Sequence, residues 1–461
     1  MIEQEITLAE ILLAREQRVA IQNELLSRHH APVISFTMNI AGPVKVTGPS
    51  HRAFLWGCEQ LRLGFAQNRL TVLEEQARCL PTGEEAYFAV DAPAEAVKAL
   101  CVDIEEGSKG MGRLFDMDVI GLDGLKLERG VERHCIVCGK PGRDCASRRL
   151  HSVSELQSAT AGRFAQGLKD LDGIRTASLA TRALLEEVAV TPKPGLVDRA
   201  NSGSHRDMDF SSFQASASAL WPYWQSCFLW GWQDAHIHGL GQECLRSPVQ
   251  TFAALRPLGR QAERNMLAAT GGVNTHKGAI FTLGVLCGAI GRLWTEDKGF
   301  AEVQAILDEA SAMTRETLEK ELPATRWNTA GEGLYRKYGA RGIRGEVADG
   351  LPSVRDVGIP TFRALLAQGV DRNHAAAVTL LHLIARVEDT NLLHRGGPKG
   401  AAWAKETAAD LLEREPLPSL ESISALDAEF IRRNLSPGGC ADLLAATLFI
   451  DSIDNTTQKE T

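Results

Sequence analysis

No stretch of this chain is both long enough and apolar enough to cross a bilayer. The longest uncharged run, Phe210 to Gln233, is interrupted by Ser211, Ser212, Gln214, Ser216, Ser218, Gln225 and Ser226. That pattern predicts a buried helix rather than a membrane span. The run Gly278 to Gly291 is uncharged but too short to span. The opening MIEQEITLAE is acidic and has no apolar h-region, so no secretory leader is expected. A basic excess is missing too. The 58 acidic and 50 basic residues leave a net charge of -8, which argues against nucleic acid or an anionic membrane surface as the main partner. Ten cysteines scattered over 461 residues lack the density of a secreted disulfide scaffold. Reduced thiols and a cytoplasmic location are therefore expected. No fixed-period repeat is evident, and the GxxxxGK[ST] phosphate loop is absent.

What is there is ordinary globular material, with 44% apolar and 23% charged residues. The length predicts two to three domains. Residues 7–28 read as an amphipathic helix, 32–45 as extended chain, 50–66 as a helix, 84–91 as a short strand and 93–105 as another helix. GRLFDMDVIGLDG reads as a strand between glycine turns. After about residue 165 strand-like alternation nearly vanishes. Helical runs alternate there with TPKPG, NSGSHRDMD, ATGGVNTHKG, AGEGLYRKYGARGIRG, RGGPKG and SPGG, which read as punctuation. An α+β domain over 1–165 followed by a larger all-α domain over 170–461 is expected, with the boundary in the glycine-dotted stretch 160–173.

Two motifs in the first part carry chemistry. Asp116 and Asp118 in RLFDMDVIG share one face of the predicted strand, opposite Phe115 and Met117. Paired carboxylates suit Mg²⁺, which leaves positions open for substrate phosphates. Upstream, the loop Gly107-Ser108-Lys109-Gly110-Met111-Gly112 can bring N–H groups and Lys109 to a polyphosphate. The alternative is a solvated strand with acids on its wet face. The second motif is Cys135, Cys138, Cys145 and His151 within seventeen positions, which can close a tetrahedral Zn²⁺ site or be reduced cysteines in a basic loop. Arg133, Arg143, Arg148 and Arg149 in the same segment suit phosphate.

In the second part, Lys193, Arg199 and His205 can hold phosphates, and Asp207 and Asp209 a metal, all from the loop after TPKPG. Thr270-Gly271-Gly272-Val273-Asn274-Thr275-His276-Lys277-Gly278 places a glycine turn and a lysine at a helix start, an anion cradle. His382, Arg386 and Asp389 are expected on one face of a helix, with Glu388, Asn391 and His394 at its end and the turn Arg395–Gly400 beyond. Ser436–Asp442 is a third glycine turn before a helix. Helix caps are the plainer reading of such turns; three together, each with cations or carboxylates, favour a phosphate-handling site.

TPKPGLVDRANSGSHRDMD, GGVNTHKG, EDTNLLHRGG and SPGGCADLLA, in that order over about residues 170–455, resemble the motif series of triphosphoribosyl-dephospho-CoA synthase. LLAREQRVAIQNELL, TMNIAGPVK, GRLFDMDVIG and HCIVCGKPGRDCASRRLHS resemble apo-citrate lyase phosphoribosyl-dephospho-CoA transferase, also called holo-citrate lyase synthase, over about residues 5–165. The whole chain thus resembles a fused bifunctional protein that makes and attaches the citrate lyase prosthetic group. Cys440 stands where the resemblance leads one to expect a serine.

The resemblance implies that the all-α domain converts ATP and 3'-dephospho-CoA to 2'-(5''-triphosphoribosyl)-3'-dephospho-CoA and adenine. Asp207, Asp209, Glu388 and Asp389 are then the candidate carboxylates. Lys193, Arg199, His205, Gly271, Gly272, Asn274, His276, Lys277, Asn391, His394 and Arg395 are candidate phosphate or adenine contacts. The first domain, nucleotidyltransferase-like in its chemistry, would pass the phosphoribosyl-dephospho-CoA unit to a serine of the citrate lyase acyl carrier (gamma) subunit. Asp116 and Asp118 would hold Mg²⁺, and Gly110, Gly112 and Arg113 would meet phosphate. The carrier subunit of malonate decarboxylase is the alternative acceptor.

Overall fold

A computed structural model of the chain describes residues 4–236, 245–324 and 330–460. Two compact units result, Met1–Asp172 with Glu296–Gly299, and Gly173–Thr295 with Phe300–Thr461.

The first unit runs α1 (Leu8–His29), β1 (Val33–Met38), α2 (Gly48–Gln67), β2 (Thr71–Leu80), β3 (Gly83–Asp91), α3 (Ala94–Gly107), β4 (Phe115–Ile120) and α4 (Gly142–Ser147); α5 (Val153–Ala189) contributes residues to both units. Thr7 and Glu10 form a capping box at α1, and Thr47 with Ser50 another at α2, satisfying first-turn N–H groups. The four strands form an antiparallel sheet in the order β2-β3-β1-β4. The strand β2 is not foreseen by pattern: TVLEEQARCL is charged and no residue of it is buried. Its pairing with the buried β3 makes it a strand, at the edge of the sheet.

The strand β4 is the element that matters for chemistry. Phe115 and Met117 are fully buried, and Phe36 of β1 packs between Phe54 and Phe115, with ring centroids 5.0 and 5.3 Å apart. Alternation then turns Asp116 and Asp118 to the other face. The free edge of β4 is closed by α3, where Glu105 accepts the Met117 N–H at 2.8 Å and Lys98 donates to the Met117 carbonyl at 3.1 Å.

The named elements of the second unit are all helices among the described residues: α6 (Phe210–His236), α7 (Pro248–Ala269), α8 (Lys277–Leu293), α9 (Val303–Ala324), α10 (Ala330–Tyr338), α11 (Gly342–Ala348), α12 (Ile359–Ala367), α13 (Arg372–Arg386), α14 (Thr390–Arg414), α15 (Leu420–Arg432) and α16 (Gly438–Glu460). Helix α8, charged only at its ends by Lys277 and Arg292, is buried from Ala279 to Gly291 except at Phe281. It packs against α6 so closely that a Cβ on Gly231 or Gly291 would lie 2.1 or 2.0 Å from a carbonyl oxygen of the other helix. No helix of the described residues is long and apolar enough to cross a membrane.

Two stretches expected as punctuation are helical instead, and the glycines of 160–173 sit inside the continuous α5. Gly167 makes room for Met111, and Gly173 for Phe228. AGEGLYRKYGARGIRG holds α10 and the start of α11 rather than a loop. RGGPKG lies within α14, which kinks at Gly397 (φ 62°, ψ -170°) just before Pro398.

Candidate functional site

In the first unit Asp116 and Asp118 line a cavity of about 770 Å³, large enough for a nucleotide-sized ligand. Lys98, Arg113, Lys126, Arg129, Arg133 and Arg143 line it with them. Lys126 pairs with Asp118, and Arg133 reaches Asp116 at 3.2 Å. The buried Glu105 anchors this wall from behind by pairing with Arg133 and with Arg129. Burial, then the neighbouring Asp116 charge, pushes the Asp118 carboxyl up. Burial, then Arg133 and Arg129, lowers the Arg113 guanidinium, one of whose buried nitrogens has no partner. Two carboxylates thus sit among six cationic side chains in the lining of one cavity.

The glycine loop does not join this cavity. The N–H groups of Ser108, Lys109, Met111 and Gly112 donate to carbonyls of Ile104, Gly107 and Ser108, so the loop closes on itself. Lys109 and Gly110 are exposed, with Lys109 at φ 44° and Gly110 at φ 80°. Gly112 is needed because a Cβ there would meet the Glu105 carbonyl at 2.4 Å. Of the expected phosphate contacts Gly110, Gly112 and Arg113, only Arg113 lines the cavity. Of the four segment arginines, Arg133 and Arg143 line it, while Arg148 and Arg149 are exposed elsewhere on the segment.

Just beyond lies the thiol cluster. The ligand atoms of Cys135, Cys138, Cys145 and His151 all fall within 4.8 Å of one another. Burial opposes the Cys135 thiolate, but N–H groups of Cys138 and Val137 point to its sulfur and bring the thiol down to about 7.

In the second unit four helix ends meet. Glu187 near the end of α5 is buried and pairs with the buried Lys193 at 2.5 Å. Burial raises Glu187, and Lys193 opposes that rise. Asp389 precedes α14 and caps it: one oxygen accepts the Asn391 and Leu392 N–H groups at 2.7 and 3.1 Å, while the other accepts the Cys440 N–H at the start of α16, at 2.8 Å. Asp442 in the first turn of α16 reaches the start of α8, where Ala279 donates its N–H. Burial, then the charges of Glu187 and Asp389, pushes Asp442 well up. The glycines of GGVNTHKG and SPGG leave room for these carboxylates: a Cβ on Gly278 would lie 1.9 Å from Asp442 Oδ2, and one on Gly439 3.0 Å from Asp389 Oδ2.

His276 caps this arrangement. Its Nδ1 meets Ser216 Oγ at 2.6 Å, while its buried Nε2 has no partner. The adjacent Thr275 Oγ1 is likewise buried and unpartnered. Unpaired buried polar atoms are costly, and these two lie at the start of α8. Burial, then Lys193, lowers His276 to about 3, and burial, then Arg395, lowers His205 to about 4. His205 links Ser436 Oγ (2.9 Å) to Arg395 (3.1 Å), tying the loop before α6 to α14 and α16.

A pH prediction follows for His276. Unfolded, it titrates near 6.5. Below that pH the unfolded chain takes up a proton that the folded site refuses, so stability falls on acidification. The loss reaches about 2 kcal/mol at pH 5. Glu187 and Asp442, being raised, act in the opposite sense. Urea unfolding of the wild type and His276→Gln isolates the histidine: the difference between them should shrink by about 2 kcal/mol from pH 7 to pH 5. An unchanged difference would show that His276 titrates normally in the fold.

Other expected residues are placed differently. The helix carrying His382 and Arg386 ends at Arg386, so Asp389 is not on its face. His382 and Arg386 bond to each other at 3.0 Å on the surface. Asn391 and His394 open α14 instead of ending α13. Gly271 and Gly272 end α7 with positive φ, the Gly272 N–H returning to the Leu267 carbonyl at 2.7 Å, so they cap rather than cradle. Lys277 is exposed and pairs with Glu263 at 3.2 Å. Asp209 begins α6, and one of its oxygens accepts from Ser211 and twice from Ser212. Among the described residues no third His, Cys, Asp or Glu joins Asp207 and Asp209 as a ligand group. Arg199, Asn274, Asp207, Glu388, Asn391 and His394 are exposed.

Sequence reasoning did not single out Lys98, Glu105, Arg129, Glu187 or Asp442. Asp442 had a signal, since it lies in the glycine turn already noted. The others come from regular helices or an irregular loop and are recruited by tertiary packing.

Comparison with known proteins adds to this geometry. Residues 174–461 match the family described as ATP:dephospho-CoA triphosphoribosyl transferase. Residues 6–166 match the family described as apo-citrate lyase phosphoribosyl-dephospho-CoA transferase. The chain is 35% identical over 460 residues to protein CitXG of Haemophilus influenzae, covering 96% of both chains. It is 39% identical over 290 residues to the 2-(5''-triphosphoribosyl)-3'-dephosphocoenzyme-A synthase of Klebsiella pneumoniae, covering 62% of this chain and 93% of the relative. It is 43% identical over 278 residues to a probable enzyme of the same name from Vibrio cholerae, covering 59% of this chain and 86% of the relative.

Proposed function

The chain belongs to both of these families, as a fusion of the apo-citrate lyase phosphoribosyl-dephospho-CoA transferase and the ATP:dephospho-CoA triphosphoribosyl transferase, and on that premise we propose that it makes the citrate lyase prosthetic group in its second unit and attaches it in its first. The observation that carries this reading is the presence of two charged centres in two compact units, each unit matching a different family.

In the second unit, a ribose hydroxyl of 3'-dephospho-CoA attacks the anomeric carbon of ATP. The bond to adenine breaks, the hydroxyl proton is matched by the one adenine takes up, and the triphosphate stays on the new product. Asp442, which burial keeps protonated more readily than a free aspartate, is the acid–base candidate. Glu187, held by Lys193 and close enough to act on Asp442, is the second carboxylate candidate there. His276 Nε2 and Thr275 Oγ1 receive the base or the hydroxyl. Asp389 positions α14 and α16 against each other and does not itself react. Arg199, His205, Asn274, Lys277, Asn391, His394 and Arg395 are the candidate triphosphate contacts. Asp209 is occupied as a cap, so Asp207 is the carboxylate left open there; the magnesium ion belongs with the ATP phosphates.

In the first unit, a serine hydroxyl of the acyl carrier subunit attacks the innermost phosphorus of the triphosphate and pyrophosphate leaves. Asp116 and Asp118 fit a magnesium ion, which when bound neutralises charge on the transferring phosphate. Arg113, Arg133 and Arg143 take the phosphate oxygens.

Incubating the chain with ATP, magnesium and 3'-dephospho-CoA should release adenine in proportion to product. Folded protein that releases none would remove the synthase half of this reading.

A further inference from the structure

We propose that Cys135, Cys138, Cys145 and His151 bind one Zn²⁺ ion, and that this ion holds the segment forming the cationic wall of the Asp116–Asp118 cavity. Three thiols and an imidazole are a complete ligand set for a closed structural zinc site. Cys138 and Cys145 sulfurs are 3.5 Å apart, and His151 Nε2 is 3.3 Å from Cys138 Sγ. A tetrahedron with zinc–sulfur bonds of about 2.3 Å has edges of about 3.8 Å, so the four atoms close to that figure with small movement. The turn is built for it. Cys135 N–H donates to the Lys140 carbonyl at 2.7 Å, and Gly139, at φ 71°, donates to the Cys135 carbonyl at 3.0 Å. This places both thiols of the Cys-x2-Cys pair on one side, and α4 and the bond from Leu150 N–H to the Cys145 carbonyl at 3.1 Å bring up the other two ligands.

A second observation points the same way. The irregular chain from Gly121 to Ser152 has almost no apolar core of its own: Leu122, Leu125, Val131, Val137 and Leu150 are exposed, and its buried apolar residues are Cys135 and Cys145 themselves. A segment that cannot bury apolar surface needs another source of order, and a bound metal supplies it. The cluster is also tied to the cavity. Arg133 precedes it and Arg143 lies within it, both lining the cavity, and the Gly142 N–H holds the Arg133 carbonyl at 2.8 Å. Arg133 then reaches Asp116. This second half of the proposal rests on the transferase reading of the cavity; the metal itself does not.

Binding zinc releases the thiol protons to solvent and involves no change of oxidation state. The test uses the full chain, purified with reductant and without chelator, titrated with zinc and dialysed. The expected result is one zinc per chain in the wild type and in Cys79→Ser, whose exposed thiol lies on β2, and almost none in Cys135→Ser or Cys145→Ser. Pyrophosphate release should fall at least about tenfold in the two cluster variants, while adenine release from the second unit stays unchanged and limited proteolysis shows the sheet of the first unit still folded. Wild-type chain without zinc, or with a Cys138–Cys145 disulfide in its place, would overturn the metal site. Zinc lost from the variants with pyrophosphate release intact would overturn the link to the cavity. One zinc per chain with no transferase activity in any form would leave the metal standing and refute only the reading of the cavity.

Discussion

Asp116→Asn and Asp118→Asn are each expected to lower pyrophosphate release on addition of the acyl carrier subunit by at least about 100-fold, the scale of losing one preorganised electrostatic partner of a transition state, while adenine release stays at the wild-type level. The two side chains project from one face of β4 into a cavity otherwise lined by cations. Each substitution removes one negative charge and leaves shape nearly unchanged. Without it the remaining carboxylate faces Lys126 or Arg133 alone, and the site loses its affinity for a divalent ion. Neither residue packs in the core, since Phe115 and Met117 carry that role on the opposite face. The fold should therefore survive, which an unchanged circular dichroism spectrum and unfolding midpoint check, while unchanged adenine release shows that the second unit is intact. Equal loss of both activities would contradict separate sites.

Gly278→Ala is expected to lower adenine release at least about 100-fold with pyrophosphate release from preformed triphosphoribosyl-dephospho-CoA intact. The added Cβ would lie 1.9 Å from Asp442 Oδ2 and 2.9 Å from its carboxyl carbon. No rotation of a methyl group relieves that contact, so the carboxylate must leave the start of α8 and give up the Ala279 N–H. Displacement also changes the charges around Glu187 and Asp389, which lie close enough to act on Asp442. Helix propensity alone would favour alanine over glycine, so the sign of the effect separates site disruption from backbone entropy. Gly333→Ala in α10, where a Cβ would meet nothing within 4 Å, is the control within the same unit and should leave adenine release unchanged. Wild-type adenine release from Gly278→Ala would show that the Asp442 carboxylate is not at the reacting centre.

The parts of this structure that were legible in the sequence are those fixed by local periodicity. The two-residue period of a strand is enough to place Asp116 and Asp118 together, and the uncharged runs at 210–233 and 278–291 are the helices α6, buried on one face, and α8, buried almost all round. What stayed hidden depends on which face of an element points inward. In LLEEVAV, Glu186 pairs with Arg372 at 2.8 Å while its neighbour Glu187 is buried against Lys193, and nothing local distinguishes them. Asp389 was misplaced because helical spacing was extended past Arg386. An aspartate before Thr390 and Asn391 is an equally good helix N-cap, and the buried Cys440 N–H decides the matter from a distant part of the chain. Glycines were the least readable. Those at 167 and 173 mark close approach inside a helix, those at 271 and 272 end one, and those at 278 and 439 make space for a carboxylate. Only the fold tells these roles apart.

On the proposed function, one chain both makes the prosthetic group and attaches it. Intact-mass measurement of the citrate lyase acyl carrier subunit, after incubation with the chain, ATP, magnesium and 3'-dephospho-CoA, tests that claim most directly. The predicted result is one added phosphoribosyl-dephospho-CoA unit per carrier on a single serine, with adenine and pyrophosphate formed in equal amounts. A carrier of unchanged mass in the presence of adenine release, or modification of the malonate decarboxylase carrier in its place, would contradict it.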